Sequence, residues 1–358
     1  MLKFKKKNLS YLYIFFLILV LFFSKFSTNI ASSNNYNISK VKVEEIYDLK
    51  FEKNKIIDRA FKKAFKILIY KITENKDKSI AKNISLNEIK SLIENFSIID
   101  ERFTNNKYIS EFNVQFNKKK ILRYLNNKGA IPSSPKKIKV FLLPVLIDEN
   151  SNELYDLNNN IFYKNWDFNS KKYHLIEYVL PNEDIEDYSI IRKNIKNIEN
   201  YNFKEIIDKY NLQNEIILII LKSNSQIQVF SKIKFDKNIM LVNNIYDVSS
   251  FNDNSVIDNI ILDIKEVYED KWKSINKINT SIMLPIRLSI DSKNIELSKK
   301  FENKIYSTDL ISNYKIERFN NQKVIYKIIF NSTQDRFLDI MSSYNFKIDT
   351  SQEIWTLQ

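Results

Sequence analysis

Apolar residues recur at helical or strand spacing along most of the chain after residue 36. Between residues 57 and 72 they repeat every three to four positions, while lysine and arginine occupy the opposite face, which predicts an amphipathic helix. Ser85 followed by Glu88 predicts the start of a second helix, which should run to about residue 96. Residues 111–116 alternate strictly between polar and apolar side chains, which predicts a half-buried strand.

The middle of the chain alternates predicted strands with predicted helices. Residues 138–147 predict a mostly apolar strand that is interrupted by Pro144. Residues 216–221 are apolar without interruption, which is typical of a strand buried on both faces. Residues 256–275 give the longest amphipathic pattern and predict the longest helix. This alternation predicts a central three-layer α/β domain over residues 138–276.

The last region has the element order βαββαβ. That order predicts a C-terminal ferredoxin-like module over residues 280–358. Its predicted elements are a strand at 282–290, a helix at 293–305, a hairpin at 314–330, a helix at 334–342 and a strand at 346–357 that is either continuous or broken.

The chain is therefore expected to be an α+β / α/β multi-domain protein. Its first folded part is an N-terminal α+β domain over residues 36–130. Residues 130–137 contain Pro132 and Pro135 and predict the linker to the central domain.

The first 33 residues have a different pattern from the rest. Lysines at the start are followed by an apolar run at residues 11–23 and then by small and polar residues, which is the order of a signal peptide. A membrane span needs about 20 apolar residues, and this run is shorter. We expect an exported periplasmic protein. The alternative is an uncleaved inner-membrane anchor, with membrane contact only through residues 11–23.

Three residue types that support common chemistry are nearly missing. The chain has no Cys, one His (His174) and one Gly (Gly129). These counts exclude disulfides, thiolate sites, multi-His zinc sites and glycine-rich phosphate loops, and the missing Cys also excludes a lipoprotein signal. No cofactor is expected.

The chain is basic, with a formal net charge of +13. This charge would favour anionic lipid, glycan or an acidic protein partner, or it belongs simply to a solvated surface. Nucleic acid is not an expected partner, because the chain is predicted to be exported.

Two clusters are candidate sites. Asp184, Glu186 and Asp187 could bind a cation or act as paired carboxylates, or they could complement the N-terminal dipole of a helix. A second cluster contains Phe162, Tyr163 and Trp166, which could form a ligand or partner surface or pack in the core of a hairpin. His174 has no partner identifiable from the sequence, so a structural role is favoured over a catalytic base.

Four stretches in order resemble a proteobacterial envelope family, the domain-of-unknown-function 2066 family. They are DRAFKKAFKILIYKI, FSIIDERFTNNKYISEFNVQFNKKKILRYLNNKGA, PSSPKKIKVFLLPVLID with LPNEDIEDY, and MLPIRLSI through EIWTLQ. The resemblance covers most of the chain after the export segment. The family has no established activity, so the resemblance implies no functional residues.

Three functions are compatible with these patterns. The leading hypothesis is a non-catalytic envelope scaffold or adaptor that binds other periplasmic components. A carboxylate-dependent glycan or peptidoglycan hydrolase would need two acids facing one cleft, about 5–10 Å apart. A small-ligand binding module would need a deep apolar pocket in the central domain.

Overall fold

The computed structural model describes residues 36–248, 251, 253–279 and 281–358. The predicted signal segment, residues 1–33, lies outside the described residues. Helices and strands are mixed along the described chain, and the strands form three sheets, so the protein has a mixed α+β fold. Among the described residues, no helix combines the length and the apolar composition that a membrane crossing requires.

The first sheet has three antiparallel strands in the order β1–β3–β2. The strands are β1 (Asn37–Ile46), β2 (Ile93–Thr104) and β3 (Lys107–Phe116). The alternation that predicted β3 has a clear cause, because Phe112 and Val114 lie on the face that is buried in the core. Helix α1 (Lys53–Ile72) packs its predicted apolar stripe into the same core.

Two shorter helices complete the first region. Helix α2 (Leu86–Leu92) begins at the predicted cap, where the Ser85 hydroxyl accepts the Glu88 N–H at 3.2 Å. It ends four residues before the predicted end, because the chain enters β2 at Ile93 and pairs with β3. Helix α3 (Lys118–Asn127) is followed by Gly129, whose φ of +73° suits glycine.

The second sheet occupies the middle of the chain. Its strands are β4 (Ile138–Asp148), β5 (Glu153–Leu154), β6 (Ile176–Val179), β7 (Glu215–Lys222), β8 (Gln226–Phe235) and β9 (Asn238–Asp247). The order is β5–β4–β7–β8–β9, with β6 also pairing with β4. Strands β6, β4 and β7 are parallel, whereas β7, β8 and β9 form an antiparallel meander.

Helices cover both faces of this sheet where β4 and β7 lie. The helices are α4 (Ile161–Asn165), α5 (Ile185–Lys193), α6 (Lys204–Ile207) and α7 (Asn254–Ile275). One face packs against α7 and α4, and the other packs against α5 and α6. Because both faces of β7 are buried, residues 216–221 read as one continuous apolar run.

The third sheet contains the C-terminal residues. This region consists of β10 (Leu284–Asp291), α8 (Ile295–Ser307), β11 (Ile311–Phe319), β12 (Lys323–Phe330), α9 (Gln334–Ser343), β13 (Ile348–Asp349) and β14 (Trp355–Leu357). Its five strands form the sheet in the order β11–β12–β10–β14–β13. The strand predicted at residues 346–357, continuous or broken, is broken. A turn, in which the Asp349 carboxylate accepts the Ser351 N–H, divides it into β13 and β14.

The first and last regions share one hydrophobic core, while the central sheet has its own. Residues 130–137, predicted as a linker, are packed at the junction of the regions. Pro132 and Ser133 are buried there; the Ser133 N–H donates to the Ile72 carbonyl at 2.7 Å, and the Ile278 N–H donates to the Pro132 carbonyl at 2.7 Å. These backbone bonds fix the junction to α1 and to the start of the third region.

Candidate functional site

The edge of the central sheet is interrupted at Pro144. Strand β4 pairs with β6 up to Phe141 and with β5 from Ile147 onward. Among the described residues, no strand pairs with the stretch between them on this edge. Pro144 has no N–H to offer a neighbouring strand, which suits an unpaired edge position. Its carbonyl accepts a hydrogen bond from the Asn160 side-chain amide at 3.1 Å.

A cavity of about 320 Å³ lies beside this interruption, and we call it the Pro144 cavity. Its volume is at the lower end of the range of small-ligand sites. The apolar part of its wall consists of Leu143, Pro144, Val145, Leu154, Leu157, Pro181, Ile185 and Ile191. Tyr155 and Tyr188 add aromatic surface. The cavity is therefore a pocket in the central region with mostly apolar walls.

Four carboxylates line the Pro144 cavity: Asp156, Glu183, Asp184 and Asp187. The Lys209 ammonium donates to Asp184 at 2.9 Å and to Asp187 at 2.7 Å. Four carboxylates and this ammonium give the rim a formal charge of −3, in a chain whose total charge is positive.

The three residues of the predicted acidic cluster, Asp184, Glu186 and Asp187, differ in their hydrogen bonds and in whether they line the cavity. Asp184 caps α5, because its side chain accepts the Glu186 N–H at 2.8 Å. This is the helix N-terminal role that the sequence offered as an alternative. Glu186 itself does not line the cavity. Among the described residues, no group of three or more acids or histidines is placed to hold a metal ion.

The electrostatics of Asp184 do not suit acid catalysis. The hydrogen bond from Lys209, followed by the bond from the Glu186 N–H, lowers the pKa of the Asp184 carboxyl. A general acid at neutral pH needs the opposite shift. Asp184 and Asp187 are both held by one ammonium, as in a structural ion pair.

The aromatic cluster is mainly core rather than surface. Phe162 and Trp166 have 1% and 0% of their surface exposed, beneath α7, and so cannot present a ligand or partner surface. They lie on helix α4 and the 3₁₀ turn after it, and not on a hairpin, because Asn160 caps this segment by accepting the N–H groups of Phe162 and Tyr163. Tyr163 is half-buried, and its hydroxyl donates to the Pro181 carbonyl at 2.9 Å. This bond anchors one wall of the cavity.

His174 lies outside the Pro144 cavity and is buried. Burial, followed by the positive charge of Lys265, lowers its pKa to about 4. Its Nδ1 accepts the Lys171 N–H at 3.3 Å, which closes a local turn. His174 is therefore neutral near pH 7, and its burial and its hydrogen bond indicate a structural role.

Sequence reasoning missed a line of buried charges on α7. Lys265, Glu269 and Lys273 are spaced four residues apart and are buried. Their spacing of four residues, beside the apolar stripe of an amphipathic helix, was the available signal. Burial raises the pKa of Glu269 and lowers the pKa values of Lys265, to about 8, and of Lys273.

Each member of this line has a backbone partner. Glu269 accepts the N–H groups of Leu175 and Ile176 at 2.8 and 2.9 Å, which fixes the start of β6. Lys265 donates to the Trp166 carbonyl. Both bonds to Glu269 reach its Oε1, whereas its Oε2 is buried without a hydrogen-bond partner among the described residues. None of the three charged residues lines the Pro144 cavity.

Comparison of the sequence with protein-family models and with curated proteins gives no match.

Proposed function

We propose that this chain is an exported, non-catalytic envelope protein whose central region binds a small ligand in the Pro144 cavity. One observation carries the proposal: a pocket with apolar walls occurs where Pro144 leaves the sheet edge unpaired. Ligand pockets commonly combine apolar walls with a few placed polar groups. Two of the carboxylates at its rim, those of Asp184 and Asp187, are engaged in a helix cap and in ion pairs with Lys209, which favours binding over hydrolysis.

The rim determines the expected class of ligand. Its carboxylates outnumber the ammonium of Lys209, so the local potential favours a positive group. The walls favour an apolar body. The ligand should therefore be a small amphipathic amine or another cation with an apolar part.

Calorimetric titration of the isolated protein with octylamine, octanoate and octanol tests this proposal. Octylamine should bind best, although the net charge of +13 would make unspecific binding favour octanoate. Glu183→Gln should weaken octylamine binding several-fold, and Leu157→Trp should abolish it by filling the cavity. Glu177→Gln is the matched control, because this exposed acid lies on β6 outside the cavity and should leave binding unchanged. Equal binding of amine and carboxylate would contradict the proposal.

An adaptor role is the second candidate. It is favoured by exposed apolar side chains at one end of the first sheet, where Tyr47 and Phe103 are in edge-to-face contact with ring centroids 4.9 Å apart and Ile46 and Leu49 lie nearby in the chain. Exposed apolar clusters are typical of protein-binding surfaces. Crosslinking mass spectrometry on intact cells should identify a partner that contacts this end. The role is rejected if crosslinks to other proteins are absent or avoid it.

The finer architecture and the cellular location belong to the same proposal. A three-layer α/β domain over residues 138–276 is supported by helices on both sheet faces. A ferredoxin-like module over residues 280–358 is supported by the order β11–β12–β10 with two helices. Membership of the domain-of-unknown-function 2066 family and export to the periplasm are supported by the sequence patterns alone. N-terminal sequencing of the protein isolated from cells tests cleavage near residue 33.

A further inference from the structure

Strand β9 ends the central sheet with an edge that lacks the usual protection. No strand pairs with its outer side among the described residues. Natural edge strands are commonly protected by lysine, proline or a β-bulge. Within β9 the only charged residue is Asp247, proline is absent, and the register with β8 is regular over all ten residues. Such an edge is suited to pairing with another strand.

The residues of β9 that face this free edge can be identified from its pairing. The Val248 N–H donates to the Ser225 carbonyl at 2.8 Å, so even-numbered residues bond toward β8. Odd-numbered residues therefore direct their N–H and C=O groups outward. The side chains of Ile239, Leu241 and Ile245 lie on one face of the strand and are 64%, 63% and 62% exposed.

We infer that β9 pairs antiparallel with β9 of a second copy of this chain, about a two-fold axis at Val242. This register places outward-bonding residues opposite one another, as a ladder requires. Ile239 then lies opposite Ile245 of the second copy, and Leu241 lies opposite Asn243 of the second copy. The exposed isoleucines thus cover each other at both ends of the pair.

Charge complementarity supports a second copy in this register. Lys237 immediately precedes β9, and Asp247 ends it. Pairing centred on Val242 brings Lys237 toward Asp247 of the second copy, once at each end of the interface. Lys237 is available, because its side chain is 87% exposed and its bond to Asp339, at 3.2 Å, is a surface pair of little strength. The central sheets of two molecules would then form one continuous sheet.

The absence of cysteine permits a direct test of the register. In the inferred pair, the two Val242 residues form a non-hydrogen-bonded pair with Cα atoms about 4.5 Å apart, which is within disulfide range. Under mild oxidation, Val242→Cys in the protein isolated from cells should give a covalent dimer. Ile295→Cys is the control, because Ile295 is 64% exposed on α8 and lies outside the interface. Equal crosslinking of the two variants would overturn the inference.

Charge reversal tests the same interface without a covalent bond. In sedimentation experiments, Lys237→Asp should raise the dimer dissociation constant roughly tenfold, because it places like charges opposite each other at both ends. Adding Asp247→Lys should restore the wild-type value. Both positions are exposed, so circular dichroism should show unchanged folding. A monomeric wild-type protein, or a double variant that fails to regain association, would refute the paired β9 strands.

Discussion

The Lys273 ammonium donates a hydrogen bond of 2.7 Å to the Tyr70 carbonyl, and so joins the longest helix of the central region to the end of helix α1. A second bond, of 3.0 Å, reaches the Thr73 carbonyl. Carbonyl groups at a helix C-terminus have no partner within their helix and carry partial negative charge. Lys273 therefore fixes the first and central regions relative to each other through a buried charge.

Replacing Lys273 should destabilise the whole protein. Lys273→Met removes both hydrogen bonds and leaves the Tyr70 and Thr73 carbonyls and the buried Glu269 carboxylate without this positive charge. We expect a loss of about 3 kcal/mol in the free energy of unfolding, measured in urea. Lys62→Met, at an exposed position of α1, should change it by less than about 0.5 kcal/mol. An equally small change for Lys273→Met would show that the buried hydrogen bonds of Lys273 contribute little to the free energy of unfolding.

The single histidine should make stability depend on pH. Burial and then Lys265 hold the pKa of His174 at about 4 in the folded protein, below its ordinary value of 6.5, while Lys273 and Lys78 act in the same direction and Glu266 opposes them. A lowered folded-state pKa gives stability that is present above pH 6.5 and is lost as pH falls through 4.

From pH 7 to pH 5, His174 should therefore lower the free energy of unfolding by about 2 kcal/mol. The chain has no other histidine, so His174→Gln should remove most of this difference. Urea unfolding of both proteins at the two pH values measures it. An unchanged pH dependence in the variant would assign the effect to carboxylates instead.

Substitutions in the aromatic cluster should distinguish a core residue, Trp166, from a half-buried one, Tyr163, by their effect on stability. Trp166→Ala should cost about 3–5 kcal/mol, because Trp166 is fully buried against α7. Tyr163→Phe should cost only about 1 kcal/mol, because it removes one hydrogen bond to the Pro181 carbonyl and keeps the ring. Thermal or urea unfolding distinguishes the two, and near-equal losses would contradict this assignment.

The periodicity of apolar residues predicted the helices and strands better than it predicted the turns and long-range contacts around them. The stripe of α1 and the alternation of β3 were readable, because each buries one face in a core. The position at which the last strand divides was not, because it depends on the local turn at Asp349. The packed junction at Ser133 depends on long-range bonds to Ile72 that a local pattern does not encode.

The candidate site was only partly predictable, for the same reason. Asp184 and Asp187 were identified as an acidic cluster, but their partner Lys209 is more than twenty residues away in the chain. Pro144 was visible as an interruption of an apolar strand. Its consequence, a gap in the sheet edge, follows from where β5 and β6 pair with β4. Sequence spacing alone does not fix that pairing.

Asn160 should be the side chain that maintains the Pro144 cavity. It is fully buried, donates to the Pro144 carbonyl at 3.1 Å and accepts the N–H of Phe162 at 3.0 Å, which starts α4. Asn160→Ala removes these interactions, together with the bond from the Tyr163 N–H, and should cost about 2–4 kcal/mol in urea unfolding. Asn160→Asp keeps the acceptor for the helix but turns a carboxylate toward the Pro144 carbonyl. Asn160→Asp should therefore preserve the start of α4 but weaken octylamine binding, because the bond to the Pro144 carbonyl is lost. Unchanged octylamine binding in this variant would show that this bond does not maintain the cavity.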